Sequence, residues 1–285
     1  MNLGLKIDVS THRGTREGVP RLVDLLVRYQ ARATFFFTLG PDHVLGRRWL
    51  PRGNIGRGCR EALRAVRDAG FETAIHAFDA VRWTDSVANA NDEWTRKQMQ
   101  LAREAFREIF GESANAHGAP GWQMNRHAFR LTQRLGFRYG SDTRGAFPFM
   151  PVLDAELMAC PQVPTTLPTL EEVLGRDRIT VEDAPQRLLQ LSETPRETGH
   201  VFTLRAEREG MKMVALLEKL LAGWQAQGYT PVALEDCILN ADIARLPRHN
   251  VIVGVTPGCI RPMALQGDEF LGQGALARPI QFRQD

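Results

Sequence analysis

Five charged or polar side chains stand directly after apolar runs that are typical of β-strands. They are Asp8, His76, His117, Asp142 and Arg205. If the strands form a parallel barrel, their C-terminal ends meet at one face, where functional residues collect. Two carboxylates, two imidazoles and a guanidinium gathered there could transfer protons and hold a sugar or an anion. Each of these residues alone could be a loop cap, but their convergence favours a site.

Strands alternate with amphipathic stretches along the chain. The sequence predicts strands at 3–9, 33–38, 71–76, 137–141, 158–163, 200–204, 229–234 and 250–255. It predicts helices at 17–30, 59–69, 91–110, 126–135 and 211–227. This repeated alternation indicates an α/β fold with a parallel sheet and helices packed outside it. We expect a barrel over residues 1–240 and an extension over 241–285 with one strand, packed on the barrel or partly frayed.

The composition argues against several classes of protein. Lys and Arg number 36 against 33 Asp and Glu, a balance that does not indicate nucleic-acid binding. The four cysteines are far apart and form no Cys-x-x-Cys pair, which argues against a zinc knuckle or a redox motif. The first residues do not resemble a signal peptide, and no apolar run approaches the ~20 residues of a membrane span. We therefore expect a cytoplasmic chain with at most peripheral membrane contact and a small-molecule or sugar ligand, in an oligomeric state that the sequence does not indicate.

Six segments carry a family resemblance in a fixed order along nearly the whole chain. They are residues 7–22, 40–43, 139–148, 164–169, 202–210 and 246–247. Together they resemble the NodB-type polysaccharide deacetylases, and within them the deformylases of lipid-linked formamido-arabinose. The resemblance implies a distorted (β/α) barrel with one divalent metal, such as zinc, held by an Asp and two His. It also implies an Asp base at the first strand end and a His acid near the last strands.

The chain departs from that implied site at three positions. The family's Asp-x-Asp opening retains Asp8 as the base but has Ser10 in place of the metal-binding carboxylate. The family's His-x-x-x-His retains His76 but ends at Ala80, and the acid His is replaced by Arg205. An arginine cannot donate a proton near neutral pH. Ser10, His76 and Ala80 fall short of the three protein ligands of a catalytic metal site, so we predict no metal cofactor.

A rebuilt metal site is the alternative. His12 and Asp79 lie close in sequence to the lost ligands and could join His76 in holding zinc. Asp79 could otherwise be a helix N-cap or a partner of Arg205. The sequence leaves these possibilities open.

The remaining polar residues predict a pocket. We expect Asp8, His76 and Arg205 as the catalytic set, with Asp8 and Arg205 facing one cavity and pairing directly or through one water. We expect the ligand to be bound by Arg13, Trp122, Asp142, Arg144 and Glu207. Arginine offers a fork for carboxylate or phosphate, and tryptophan offers an apolar face for a sugar ring. Alternatively, Asp142, Arg144, Arg205 and Glu207 neutralise one another.

Three functions are compatible with these residues. The first is a metal-independent hydrolase that cleaves the amide of an amino sugar or another small molecule. The second is a pseudoenzyme that binds a sugar or an anion without turnover. The third is a metal-dependent deformylase with rebuilt ligands. The fold does not decide among them.

Overall fold

The computed structural model describes residues 1–43, 51–174, 179–239 and 241–272. The strands are β1 Asn2–Val9, β2 Thr34–Thr38, β3 Pro41–His43, β4 Pro51–Asn54, β5 Glu72–Ala77, β6 Ala116–His117, β7 Tyr139–Gly140, β8 Met150–Leu153, β9 Glu156–Leu157, β10 His200–Arg205, β11 Thr230–Val232, β12 Arg248–Gly254 and β13 Met263–Glu269. The α-helices are α1 Val19–Arg28, α2 Ile55–Gly58, α3 Arg60–Asp68, α4 Ala80–Ser86, α5 Asp92–Phe110, α6 Arg126–Arg134, α7 Leu170–Leu174, α8 Ala184–Ser192 and α9 Val214–Ala226.

The main sheet consists of parallel strands in the order β10-β1-β2-β5-β6-β7, with β11 also paired to β1. Strands β1 and β2 are buried almost throughout, because helices cover one face and the sheet curls around its own interior on the other. Leu5, Phe35 and Phe37 are fully buried in the main core. The parallel register places Asp8 of β1 directly beside Arg205 of β10. The predicted parallel α/β architecture is confirmed.

An extended segment fills the gap between β7 and β10. Gln162 forms a parallel bridge to Gly140, and the amide of Leu167 donates to the carbonyl of Val201 at 3.0 Å. Loop backbone rather than a full strand closes the barrel here, which makes it a distorted (β/α) barrel. The strand predicted over 158–163 is wrong, because Pro161 removes a ladder donor and only isolated bridges form.

Helix α5 shows how local sequence sets an element's ends. The Asn91 side chain accepts a hydrogen bond from the amide of Trp94 at the start, and Gly111 ends the helix at a φ of 77°. Helices α2, α4, α7 and α8 are not in the sequence prediction. The first three have only four, seven and five residues, too few for a clear periodicity, and α8 has a Pro in its first turn. Among the residues described, no helix combines the length and the apolarity needed to cross a membrane.

A second sheet of four strands, in the order β13-β12-β8-β9, flanks the barrel. The sequence predicts one C-terminal strand, at 250–255, whereas the structure has two. The second, β13, contains Gly, Asp and Glu, which are poor strand formers. The tip of the β12–β13 hairpin, around Gly258 and Ile260, forms one wall of the cavity described below.

Candidate functional site

A cavity of about 560 Å³ opens at the C-terminal ends of β1, β5 and β10. This volume lies in the range of small-molecule sites. The side chains that matter for its chemistry are Asp8, Ser10, His43, His76, Trp122 and Arg205. Its wall is completed by the start of α4, the α7 region and the β12–β13 tip. The three predicted catalytic residues thus line one cavity.

The floor of the site is a buried charge pair. The Lys6 ammonium is fully buried, donates to the carbonyl of Ser141 at 2.8 Å and lies 3.7 Å from Oδ1 of Asp8. It also lies over the rings of Phe36 and Trp122. Burial lowers the pKa of Lys6, and the Asp8 charge opposes that shift. Oδ1 of Asp8 is buried and has no hydrogen-bond partner, so this oxygen has a free lone pair.

His76 lies beside Asp8 in a fixed orientation. Its Nδ1 donates to the carbonyl of Gly118 at 2.6 Å and lies 3.7 Å from Oδ1 of Asp8. Because a carbonyl can only accept, the proton is on Nδ1 and the lone pair on Nε2. Burial lowers the pKa of His76 to about 4, so the ring is neutral at pH 7. His76 can accept a hydrogen bond through Nε2 but carries no proton to donate there.

A second imidazole enters the cavity from β3. Nε2 of His43 lies 2.9 Å from Oδ2 of Asp79, and both side chains are only 3 % exposed. Oδ1 of Asp79 accepts from the amide of Arg82 at 2.9 Å and thereby caps α4. Asp79 is therefore a helix N-cap, as one sequence alternative held, and it does not pair with Arg205. His43 is not among the residues predicted for the site, because nothing in the spacing of two residues 36 positions apart indicates their contact.

Arg205 is turned toward the rim. Its guanidinium lies 2.9 Å from Glu171, which also binds Arg208 at 2.7 Å, and its side chain is 47 % exposed. The direct pairing expected between Asp8 and Arg205 is not found, although the two are in register. Asp8 is buried on the barrel floor, whereas the longer Arg205 side chain reaches a carboxylate closer to solvent.

Glu207 organises the turn after β1. Its Oε1 accepts from the amides of Ser10 and Thr11, both at 2.8 Å, and from the Thr11 hydroxyl at 3.0 Å. Burial raises the pKa of Glu207, and these hydrogen bonds oppose the shift. A Cβ at Gly14 would lie 2.3 Å from the same oxygen, so glycine is needed there. Glu207 lines the cavity, but its Oε1 already holds the loop.

Three predicted ligand-binding residues are outside the cavity lining. Arg13 is exposed and pairs with Glu17 on the surface. Asp142 is fully buried, where it accepts from His117 at 2.7 Å and from two other donors. Arg144 forms a two-pronged bond with the buried Glu172 at 2.6 and 2.8 Å. These groups are occupied by protein partners, so the predicted ligand role is corrected for all three. Of that set, Trp122 and Glu207 line the cavity.

The predicted mutual neutralisation of four charges does not occur either. Asp142 binds His117 and Arg144 binds Glu172, while Arg205 binds Glu171. Glu207 binds backbone and hydroxyl groups, as described above. Asp142, Arg144 and Arg205 thus each have a local partner outside this group of four, and Glu207 is held by hydrogen bonds.

The donor set does not fit the metal that the family resemblance implies. Ser10, His76 and Ala80 line the same cavity, but only His76 offers a strong ligand. In the alternative set, Asp79 is held by His43 and the α4 amide, and His12 is absent from the cavity lining. The described residues include no group of three or more His, Cys, Asp or Glu side chains placed to hold a metal ion.

Comparisons with known proteins agree with this architecture. A family model described as polysaccharide deacetylase matches residues 6–140. A protein from Shewanella sediminis, described as a 4-deoxy-4-formamido-L-arabinose-phosphoundecaprenol deformylase, is 30% identical over 249 residues, covering 77% of this chain and 80% of the relative.

Solved structures give the fold. A polysaccharide deacetylase structure from Mycobacterium smegmatis matches with a TM-score of 0.66 at 18% identity, over 90% of this chain and 94% of that one. A protein from Bacillus anthracis, described as a CE4-family pseudoenzyme, matches with a TM-score of 0.54 at 14% identity, over 87% of this chain and 69% of that one. A mutant of that pseudoenzyme is described as having restored enzymatic activity.

Proposed function

Because the chain belongs to the polysaccharide deacetylase family, we propose that it hydrolyses the formyl or acyl amide of an amino sugar without a bound metal. The observation that carries this proposal is Asp8, which lines the cavity and whose Oδ1 has no hydrogen-bond partner and lies 3.7 Å from both Lys6 and His76. A carboxylate in that state can accept a proton from water. The similarity to formamido-arabinose deformylases favours a formamido sugar as the substrate.

The cavity residues divide the work of amide cleavage. Asp8 takes a proton from a water molecule, and the resulting hydroxide attacks the amide carbon. Lys6, 3.7 Å away, places a positive charge beside this carboxylate. Nε2 of His76 accepts a hydrogen bond and orients the water or a sugar hydroxyl. Trp122 offers a ring face against which a sugar can stack.

The rim favours a negative substituent on the substrate. Arg205 and Arg208 both bind the carboxylate of Glu171, so neither guanidinium has a surface carboxylate of its own. The neighbouring Glu209 is buried, and its carboxylate accepts from the backbone amide of Arg205. Guanidinium groups bind phosphate through paired hydrogen bonds. A sugar phosphate is therefore a better candidate than a neutral sugar, in line with the phosphate-linked substrate named for the similar deformylase.

The test is release of formate from an N-formyl amino-sugar phosphate. We expect slow turnover by the wild type and a loss of about 100-fold or more in Asp8→Asn, which keeps the shape but removes the base. Asp24→Asn, on the exposed face of α1, is the matched control and should keep full activity. Equal rates in wild type and Asp8→Asn would overturn the assignment.

A pseudoenzyme is the second candidate, favoured by the joint loss of donors at Ser10, Ala80 and Arg205. In that case the cavity binds the sugar and releases it unchanged. Isothermal titration calorimetry separates the two functions, since binding heat without formate release in a prolonged single-turnover assay identifies the pseudoenzyme.

A further inference from the structure

Cleavage of an amide needs a proton for the departing nitrogen as well as a base for water. Among the described cavity residues, two imidazoles are present, on His43 and His76. His76 cannot supply the proton, since its Nδ1–H is committed to the carbonyl of Gly118 and its Nε2 carries the lone pair. Arg205 does not release its proton near neutral pH. The donor must therefore be sought at His43.

His43 has the features of an oriented acid. One ring nitrogen is bonded to Asp79, and the other, Nδ1, is buried without a hydrogen-bond partner. The carboxylate fixes the orientation of the ring, as in other His–Asp pairs. Asp79 is itself held by the first turn of α4 and lies 3.5 Å from the Arg82 guanidinium, so the pair is rigid. The unpartnered Nδ1 is the nitrogen left to meet a ligand.

We propose that His43, positioned by Asp79, protonates the leaving nitrogen of the substrate amide; this rests on the proposed hydrolysis. Hydroxide from the water deprotonated by Asp8 forms the new C–O bond. The C–N bond then breaks as the His43 Nδ1 proton passes to nitrogen, giving a carboxylic acid and an amine. The proton on Asp8 returns to His43 through solvent, which restores both groups.

The test compares two substrates. His43→Gln should lower hydrolysis of an N-formyl amino sugar by about 100-fold or more. It should affect a formyl 4-nitroanilide far less, because that amine leaves without prior protonation. His127→Gln is the matched control, a histidine near Asp92 that is absent from the cavity lining. Added imidazole should partly restore the activity of His43→Ala on the sugar.

The outcomes separate the two proposals. An active wild type whose rate is unchanged in His43→Gln overturns the role of His43 and leaves the hydrolase intact. An equal loss on both substrates also overturns it, since that indicates a structural role. A wild type inactive on both substrates overturns the hydrolase and the acid role together. Melting curves of each variant check that the fold is retained.

Discussion

The changes at Ser10, Ala80 and Arg205 converge on one cavity. The sequence predicts one site for five strand-end residues, of which Asp8, His76 and Arg205 line the cavity, whereas His117 and Asp142 pair with each other in the interior. The pairs His43–Asp79 and Arg205–Glu171 could not be predicted, because the two residues of each pair are far apart in sequence. Such pairs depend on loop paths that no periodicity encodes. A catalytic set predicted only from residues at strand ends therefore omits partners such as Asp79 and Glu171, which lie at helices.

Restoring the lost ligands should create a metal site. Ser10→Asp with Ala80→His would give the cavity one carboxylate and a second imidazole beside His76, the minimum set for zinc. We expect zinc affinity to rise by about tenfold or more over the wild type, measured by isothermal titration calorimetry. Ser10→Asp with Ala80→Leu is the control, since leucine fills similar space without a ring nitrogen. Equal zinc binding by both double variants would contradict the account.

Among the structural elements, the strands with long apolar runs could be predicted from the sequence. The segment that closes the barrel and the strand β13 could not. Runs such as 3–9 and 33–38 become β1 and β2 because they are buried on both faces. The closing segment around Gln162 and the strand β13 are held by tertiary contacts, although their sequences have a weak preference for the strand conformation.

The Arg144–Glu172 pair is also a tertiary contact that the sequence does not predict. It joins the barrel loop after β7 to α7, and Thr256 beyond β12 also donates to Glu172.

Breaking that pair should loosen the cavity wall. Burial alone would raise the pKa of Glu172. The charge of Arg144 and the hydrogen bonds to the carboxylate outweigh this effect, so the pKa is lowered. Arg144→Ala leaves this carboxylate buried and uncompensated, so the free energy of unfolding should fall by about 3–5 kcal/mol. The double variant Arg144→Met with Glu172→Leu should recover most of the loss. Urea denaturation measures both, and a loss under about 1 kcal/mol in Arg144→Ala would refute the structural role of the pair.

The molecule as a whole is a deacetylase barrel that has a cavity, although Ser10, Ala80 and Arg205 stand where the family resemblance implies metal ligands and an acid. The carboxylate of Asp8, the fixed ring of His76 and the His43–Asp79 pair remain around a space of about 560 Å³. The family membership explains the fold. We propose that acid–base groups of the chain itself take the place of the metal, because the donor set around the cavity does not fit one.

The most direct measurement is the rate of formate release from an N-formyl amino-sugar phosphate before and after exhaustive dialysis against a chelator. Elemental analysis of the dialysed protein verifies that zinc, manganese, cobalt and nickel have been removed. We expect the same rate in both samples, no gain when zinc is added back, and loss of activity in Asp8→Asn under both conditions. Activity that disappears on dialysis and returns with zinc would contradict this expectation.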